Sequence, residues 1–262
     1  MRVSRIGSPT YPNTKDKPMK KTKTMIDNVR STIRRAFGAL LDLLFPPDVV
    51  CLCCGNGIDE RAVDGVCPKC SEALERLEAQ EAARVHTDPL PDGIAYVASA
   101  YPYTGEAKKL VRMLKFYSVR AAAVPLARTM ATLPGEEADL LVPVPTTRRR
   151  LRKRGFNQAA VLCEAVAGEL GMPMEAALTR KDDRIAQSKL RGQSRRQNLS
   201  GVMYADERVR GKRILLVDDV YTTGATCEEA ARALYAAGAV SVGVFTATRS
   251  LYGVHRNRAK SP

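Results

Sequence analysis

The sequence predicts an α/β fold, a parallel sheet with flanking helices, preceded by a small segment built around four cysteines. Three observations carry this. Ile214-Leu215-Leu216-Val217 and Leu140-Leu141-Val142 are short apolar runs without polar alternation, the pattern of strands buried on both faces of a parallel sheet. Each run is followed by a helical apolar repeat: Leu162, Ala165, Val166 and Leu170 after the second, Cys227, Ala230, Ala231 and Leu234 after the first. Ahead of both lie Cys51-x2-Cys54 and Cys67-x2-Cys70, the spacing of paired metal knuckles.

The chain has 262 residues and is 45% hydrophobic, enough for one ordinary domain and a smaller unit. No apolar run approaches the roughly 20 residues of a membrane span, so none is expected. Seven cysteines, four of them in close pairs, read as metal ligation in a reducing compartment and not as a disulfide framework. A cytoplasmic location follows as an expectation. The net charge of +14 is concentrated: residues 2–23 carry +6, residues 148–154 +6 and residues 180–197 +5. A polyanion, either pyrophosphate or nucleic acid, is the natural partner of such clusters. His86 and His255 stand in no recognisable catalytic context and receive no role.

In chain order, residues 1–24 are basic and aperiodic, the composition of a disordered tail. Residues 25–46 predict an amphipathic helix. Its apolar side carries Ile26, Val29, Ile33, Phe37, Leu40, Leu41 and Leu44, and Pro46-Pro47 ends it. Such a helix covers a neighbouring domain or lies on a membrane surface. Residues 47–75 form the cysteine ribbon. Four thiolates, Cys51, Cys54, Cys67 and Cys70, close a tetrahedron and suit structural zinc. An iron–sulfur cluster would use the same ligands, and Cys53 leaves the choice within the first pair open. The segment is too short to bury much core, so metal would supply its folding energy. Residues 76–93 begin helix-like and drift into Asp88-Pro89-Leu90-Pro91-Asp92-Gly93, a linker.

Residues 94–250 carry the α/β pattern. A strand is expected over 94–101, helices over 105–116 and 120–132, and a strand at 140–144 broken by prolines. A helix capped near Asn157, a short strand at 174–179 and a final strand at 240–248 are expected too, with Gly238 capping the preceding helix. Residues 180–200 are polar, basic and aperiodic, longer than an ordinary loop and therefore a functional lid or a disordered segment. Residues 251–262 form a basic tail.

The organising stretch is Arg213 to Thr226. Its apolar strand is expected to end at two acids, Asp218 and Asp219. A loop of small and hydroxyl residues follows, Thr222-Thr223-Gly224-Ala225-Thr226, and runs into a helix. A small-residue loop at a helix start cradles phosphate through backbone N–H groups. Acids beside it suit ribose hydroxyls with a divalent cation nearby, so a ribose 5-phosphate moiety fits. No Gly-x4-Gly-Lys-[Ser/Thr] sequence occurs, which excludes a P-loop. Dinucleotide glycine spacing is absent as well.

Residues 214–226 resemble the phosphoribosyl pyrophosphate (PRPP) binding motif of type I phosphoribosyltransferases. Together with the four-cysteine ribbon, Val142-Pro143-Val144-Pro145, Leu114-Lys115-Phe116, Arg154-Gly155-Phe156-Asn157-Gln158 and Arg195-Arg196-Gln197-Asn198, the chain resembles the ComF family. That family includes the ComFC and GntX-like proteins, in which a zinc ribbon precedes a type I phosphoribosyltransferase-like domain. The resemblance implies that Thr222 to Thr226 hold the 5′-phosphate. It implies that Asp218 and Asp219, ionised and not an acid/base pair, take the ribose hydroxyls directly or through Mg²⁺. Val144-Pro145-Thr146 would be the pyrophosphate turn, 184–198 the basic loop closing over the ligand, and Arg154 and Arg195, with Asn157 and Gln158 nearby, the stabilisers of leaving-group charge. Zinc is the implied structural metal and Mg²⁺ accompanies PRPP. A role in DNA uptake or the use of external DNA is implied, with or without catalysis. Single-stranded DNA, a competence helicase or another DNA-processing protein are the candidate partners. A non-catalytic DNA-binding or nucleotide-sensing factor on the same scaffold is the alternative.

Overall fold

The structure, a computed structural model, describes residues 49–80, 90–181 and 203–250. The expected basic tail, the amphipathic helix, residues 184–198 with Arg195, and the C-terminal tail lie outside the described residues.

Four parallel strands form the central sheet: β1 (Tyr96–Pro102), β2 (Leu140–Pro143), β5 (Arg213–Tyr221) and β6 (Ser241–Arg249), in the order β1-β6-β5-β2. A separate antiparallel pair joins β3 (Leu178–Arg180) to β4 (Met203–Ala205). The run 214–217 is apolar throughout because both faces are buried. Leu215 and Val217 face one core cluster, and Ile214 and Leu216 the other. The first cluster packs helices α2 (Gly105–Arg112), α3 (Ala123–Met130) and α5 (Gln158–Leu170) against the sheet, and the second packs α6 (Ala225–Ala236) and the β3–β4 pair.

Helix α6 buries Cys227, Ala230, Ala231 and Leu234, the face expected. It ends in a Schellman motif. Gly238, at φ +94°, donates to Tyr235 O at 2.9 Å, and Ala239 N–H reaches Leu234 O at 3.0 Å. Helix α5 is capped as expected by Asn157, whose Oδ1 accepts from Ala159 N–H at 3.2 Å.

Three elements differ from the sequence reading. The helix expected over 105–116 is α-helical only to Arg112, and Met113–Tyr117 form a π turn closed by Ser118 in the left-handed region (φ +61°). A short helix, α4 (Arg148–Arg154), precedes α5, held by Thr147 Oγ1 accepting from Arg150 N–H and by Gly155 at φ +86°. The strand expected at 174–179 forms at 178–180 and pairs away from the main sheet; Met174 alone bridges to Leu141.

The cysteine ribbon is made of two knuckles. Asp64 (φ +54°) and Gly65 (φ +72°) turn one hairpin, with Val63 and Val66 exchanging N–H···O bonds of 3.1 and 2.9 Å. Two successive positive φ angles make a type I′ turn. Helix α1 (Pro68–Gln80) starts inside the second cysteine pair, with Pro68 at its first position. Residues 76–80 of the expected linker are its last turn. Leu52, Val66 and Leu74 are buried in the same cluster as Leu110, Leu126 and Val217. Arg128 on α3 pairs with Asp64 at 3.0 Å, so the ribbon is seated on the α/β core by both apolar and ionic contacts.

Candidate functional site

Proline shapes the site. β2 ends at Pro143 opposite Val217, and the last rung is Val144 N–H to Val217 O at 3.0 Å. Pro143 and Pro145 have no N–H to extend the ladder. β5 runs on regardless, pairing with β6 as far as Tyr221 opposite Arg249. Asp218 and Asp219 were expected to follow the strand, and they lie within it. They sit where β5 has lost its β2 neighbour but keeps β6. A crevice therefore opens at the carboxyl end of two parallel strands, the position where ligands enter open α/β sheets.

The two acids are unlike. Asp219 is 3% exposed, and its backbone is fixed from behind by buried Thr248, whose Oγ1 donates to Asp219 O at 3.1 Å. Lys115 Nζ, presented by the π turn, lies 2.9 Å from Asp219 Oδ2. The approach is off the line of a hydrogen bond, and Oδ2 has no other donor among the described residues. The pair is ionic, with a lone pair left over for a ligand. Asp218 Oδ1 accepts from Asp219 N–H at 2.8 Å. Its carboxyl is pushed well above the ordinary carboxylate range, first by burial and then by the Asp219 charge; Asp219 N–H and Lys115 oppose the shift.

The loop after the acids is built for close approach. Gly224 caps α6 at φ +78°. A Cβ there would meet Pro91 Cγ at 2.6 Å and Tyr221 Oη at 2.7 Å, so only glycine fits. Thr222, Thr223 and Ala225 are exposed and Thr226 half-buried. The first-turn N–H groups of α6 have no intrahelical partners and make this loop an anion cradle.

On the other wall, Asn157 Nδ2 donates to Val144 O at 3.0 Å and holds the Val144-Pro145-Thr146 turn against the start of α5. Thr146 Oγ1 is buried without a partner among the described residues. Arg154 Nη1 donates to Gln158 Oε1 at 2.8 Å, and Gln158 is buried. Burial holds the Arg154 pKa below its usual value, with the Asp219 charge pulling the other way. Arg154 therefore belongs to the acids' electrostatic neighbourhood. The structure gathers Asp218, Asp219, Arg154, Asn157, Gln158 and the Val144 turn around one crevice. Sequence reasoning gave Lys115 no role, although a lone cation between Leu114 and Phe116 was its signal.

In the ribbon, the Sγ atoms of Cys51, Cys54, Cys67 and Cys70 lie within 4.8 Å of one another, and Cys54 and Cys67 are 3.9 Å apart. A tetrahedral zinc site with bonds of about 2.3 Å places its sulfurs roughly 3.8 Å apart, so the set could hold a metal ion such as zinc. Burial alone would raise the Cys51 thiol, but N–H groups of Cys67, Cys54 and Cys53 reverse this and bring it down to about 6. Cys53 is outside the cluster and is pushed up to about 12 by burial, then by the Cys51 charge. Within the first pair it is Cys51 and Cys54 that join the sulfur cluster.

Residues 157–260 match the phosphoribosyl transferase domain family. The chain is 31% identical over 215 residues to the DNA utilization protein YhgH of Salmonella typhimurium, covering 77% of this chain and 91% of that one. It is 30% identical over 217 residues to the competence protein ComFC of Bacillus subtilis, covering 80% and 88%. Among solved structures it is similar to glutamine PRPP amidotransferase from B. subtilis complexed with ADP and GMP, at 25% identity and a TM-score of 0.38, over 49% of this chain and 26% of that one. No helix among the described residues is long and apolar enough to cross a membrane. A four-cysteine cluster ahead of a parallel sheet with a phosphoribosyl transferase domain, and close relatives over nearly their whole length, place the chain in the ComF family of ComFC and YhgH proteins.

Proposed function

We propose that the crevice binds PRPP or a related ribose 5-phosphate together with Mg²⁺, and that the protein serves DNA uptake or DNA use in the cytoplasm, as the names of its relatives suggest. One observation carries this reading: a buried carboxylate with an unused lone pair, Asp219, at the open end of β5, one short loop ahead of the α6 N-terminus. Carboxylates would accept from the 2′- and 3′-hydroxyls, and the 222–226 amides and threonine hydroxyls would hold the 5′-phosphate.

The donor set fits a hard cation, since Asp218 and Asp219 offer oxygens only. Mg²⁺, when bound, supplies charge neutralisation for the pyrophosphate. The chain's own residues do the remainder. Asp219, fixed by Thr248 and Lys115, orients the ribose. Arg154, poised by Gln158, faces charge developing on a departing pyrophosphate. In the Val144–Thr146 turn Val144 N–H is taken by Val217 and Pro145 has none, so Thr146 supplies the donors, its N–H and its buried Oγ1. This constellation suits displacement of pyrophosphate from the anomeric carbon by a base or amine. Binding without transfer uses the same contacts.

Calorimetric titration of PRPP with Mg²⁺ into the wild type and into Asp218→Asn/Asp219→Asn tests the reading. Micromolar binding, roughly −8 kcal/mol, lost in the double variant is the expected result. No binding to the wild type, or equal binding to both, overturns it.

A further inference from the structure

Asp219 keeps a lone pair for a ligand, yet a positive charge already stands beside it. Lys115 Nζ lies 2.9 Å from Asp219 Oδ2, and the two side chains are only 17% and 5% exposed. The backbone that delivers the lysine is fixed. Leu114 is fully buried. Ser118 closes the π turn at φ +61°, and Val119 N–H reaches Met113 O at 3.2 Å. Ser118 Oγ donates to Arg154 O at 3.4 Å. π turns within helices are rare and gather at functional sites. The ammonium head is less constrained. It approaches Oδ2 off the line of a hydrogen bond and meets the carboxylate as a point charge on a flexible stem.

The crevice side chains balance one another. Ionised, Asp218 and Asp219 carry two negative charges, and Lys115 and Arg154 carry two positive ones. A divalent cation entering alone would put this set two charges in excess, with an ammonium held against the same carboxylate. In a partly buried site that repulsion is weakly screened. A cation carried by a phosphate ligand brings its compensating anions with it, and the excess disappears.

We infer that Lys115 makes cation uptake by the acid pair conditional on the phosphate ligand. Its ammonium serves as the acids' counter-charge, disfavours a bare divalent ion and admits one that arrives with phosphates. The inference rests on the ribose phosphate reading and deepens it, since it states in which form the cation enters.

Electron paramagnetic resonance of Mn²⁺, titrated alone into the full chain with its cysteine cluster loaded with zinc, tests this. The wild type is expected to bind bare Mn²⁺ weakly, and Lys115→Met and Lys115→Gln at least about tenfold more tightly. Lys115→Arg, which keeps the charge, is expected to stay at the wild-type level. Lys115→Met/Asp219→Asn is expected to lose the gain. In calorimetry, Mn²⁺ is expected to raise the PRPP affinity of the wild type by a larger factor than that of Lys115→Met, because coupling between two ligands is reciprocal. Retained zinc and a cooperative urea transition establish that the variants are folded, and the wild-type coupling is read without any variant. Bare Mn²⁺ binding as tight in the wild type as in the neutral variants overturns the inference. So does a gain shared by Lys115→Arg, a gain that survives Asp219→Asn, or a wild-type PRPP affinity that Mn²⁺ leaves unchanged. Failure of the wild type to bind PRPP at all overturns the ribose phosphate reading, and this inference with it.

Discussion

Lys115→Met is the sharpest single perturbation of the site, because methionine keeps most of the lysine stem and removes only the charge. In the wild type Nζ is 2.9 Å from Asp219 Oδ2, with side-chain exposures of 17% and 5%. At that distance the gross attraction is about 6 kcal/mol for an effective dielectric near 20. Most of it offsets the desolvation of the two groups. Removing one partner of a buried pair typically costs about 3 kcal/mol, since the other charge stays behind uncompensated. For a domain of this size that is a fall of roughly 6–12 °C in melting temperature. The loss should depend on pH. A carboxyl whose folded pKa lies above its unfolded value contributes stability that is present below the unfolded pKa and lost as pH rises through the folded pKa. Asp218 already has a raised pKa from burial and from Asp219, with Lys115 opposing it. Deleting Lys115 raises it further, so the penalty is larger at pH 7.5 than at pH 5, where Asp218 takes up a proton more readily. Urea unfolding of wild type, Lys115→Met, Asp219→Asn and the double variant at both pH values gives the coupling, and any effect of pH on the cysteine cluster cancels within the cycle. A loss of equal size at both pH values, or no coupling to Asp219, would show that Lys115 acts by packing and would refute the electrostatic account.

Three further outcomes follow from particular residues. Asp218→Asn removes a carboxyl that burial and Asp219 hold above its ordinary range, so it should raise stability at pH 7.5 by about 1 kcal/mol while abolishing PRPP binding; urea melts paired with calorimetry check both. Gly224→Ala puts a Cβ at 2.6 Å from Pro91 Cγ at a φ of +78°, and should cost about 2 kcal/mol and weaken phosphate binding, read by the same pair of methods. Cys70→Ser should lose the metal that Cys53→Ser retains, because only Cys70 belongs to the sulfur cluster; metal analysis of the purified variants decides it. Since Val66 and Leu74 share a core with Leu110 and Val217, metal loss should also lower the melting temperature of the α/β body.

The sequence was readable where one local pattern determines one local outcome. Ile214 to Val217 could only be a doubly buried strand. The Cys-x2-Cys pairs named their own cluster, and Asn157 and Gly238 announced the ends of helices α5 and α6. It was less readable where the outcome depends on a distant partner. That β5 continues through its acids depends on β6, whose Thr246 and Thr248 pair with Asp218 and Val220; nothing in the run itself reveals a neighbour that outlasts β2. Lys115 lies about a hundred residues before Asp219, on a π turn that no apolar period marks. Helix α4 has no apolar face to detect, only a threonine and a glycine at its two ends. These unread features all contribute to the crevice, where local rules yield to the site.

The π turn explains how one element can present a cation inward and two rings outward. An α-helix continued through Met113–Tyr117 would advance each side chain by about 100°. The wider turn changes that phase just where the chain must place a cation against Asp219 and leave two rings in solvent. The charge balance follows the same division. Inside the crevice, the cations of Lys115 and Arg154 are offset by the two acids. Outside, α4 adds five further cations. A polyanion approaching from solvent therefore meets the strongly positive rim before the balanced interior.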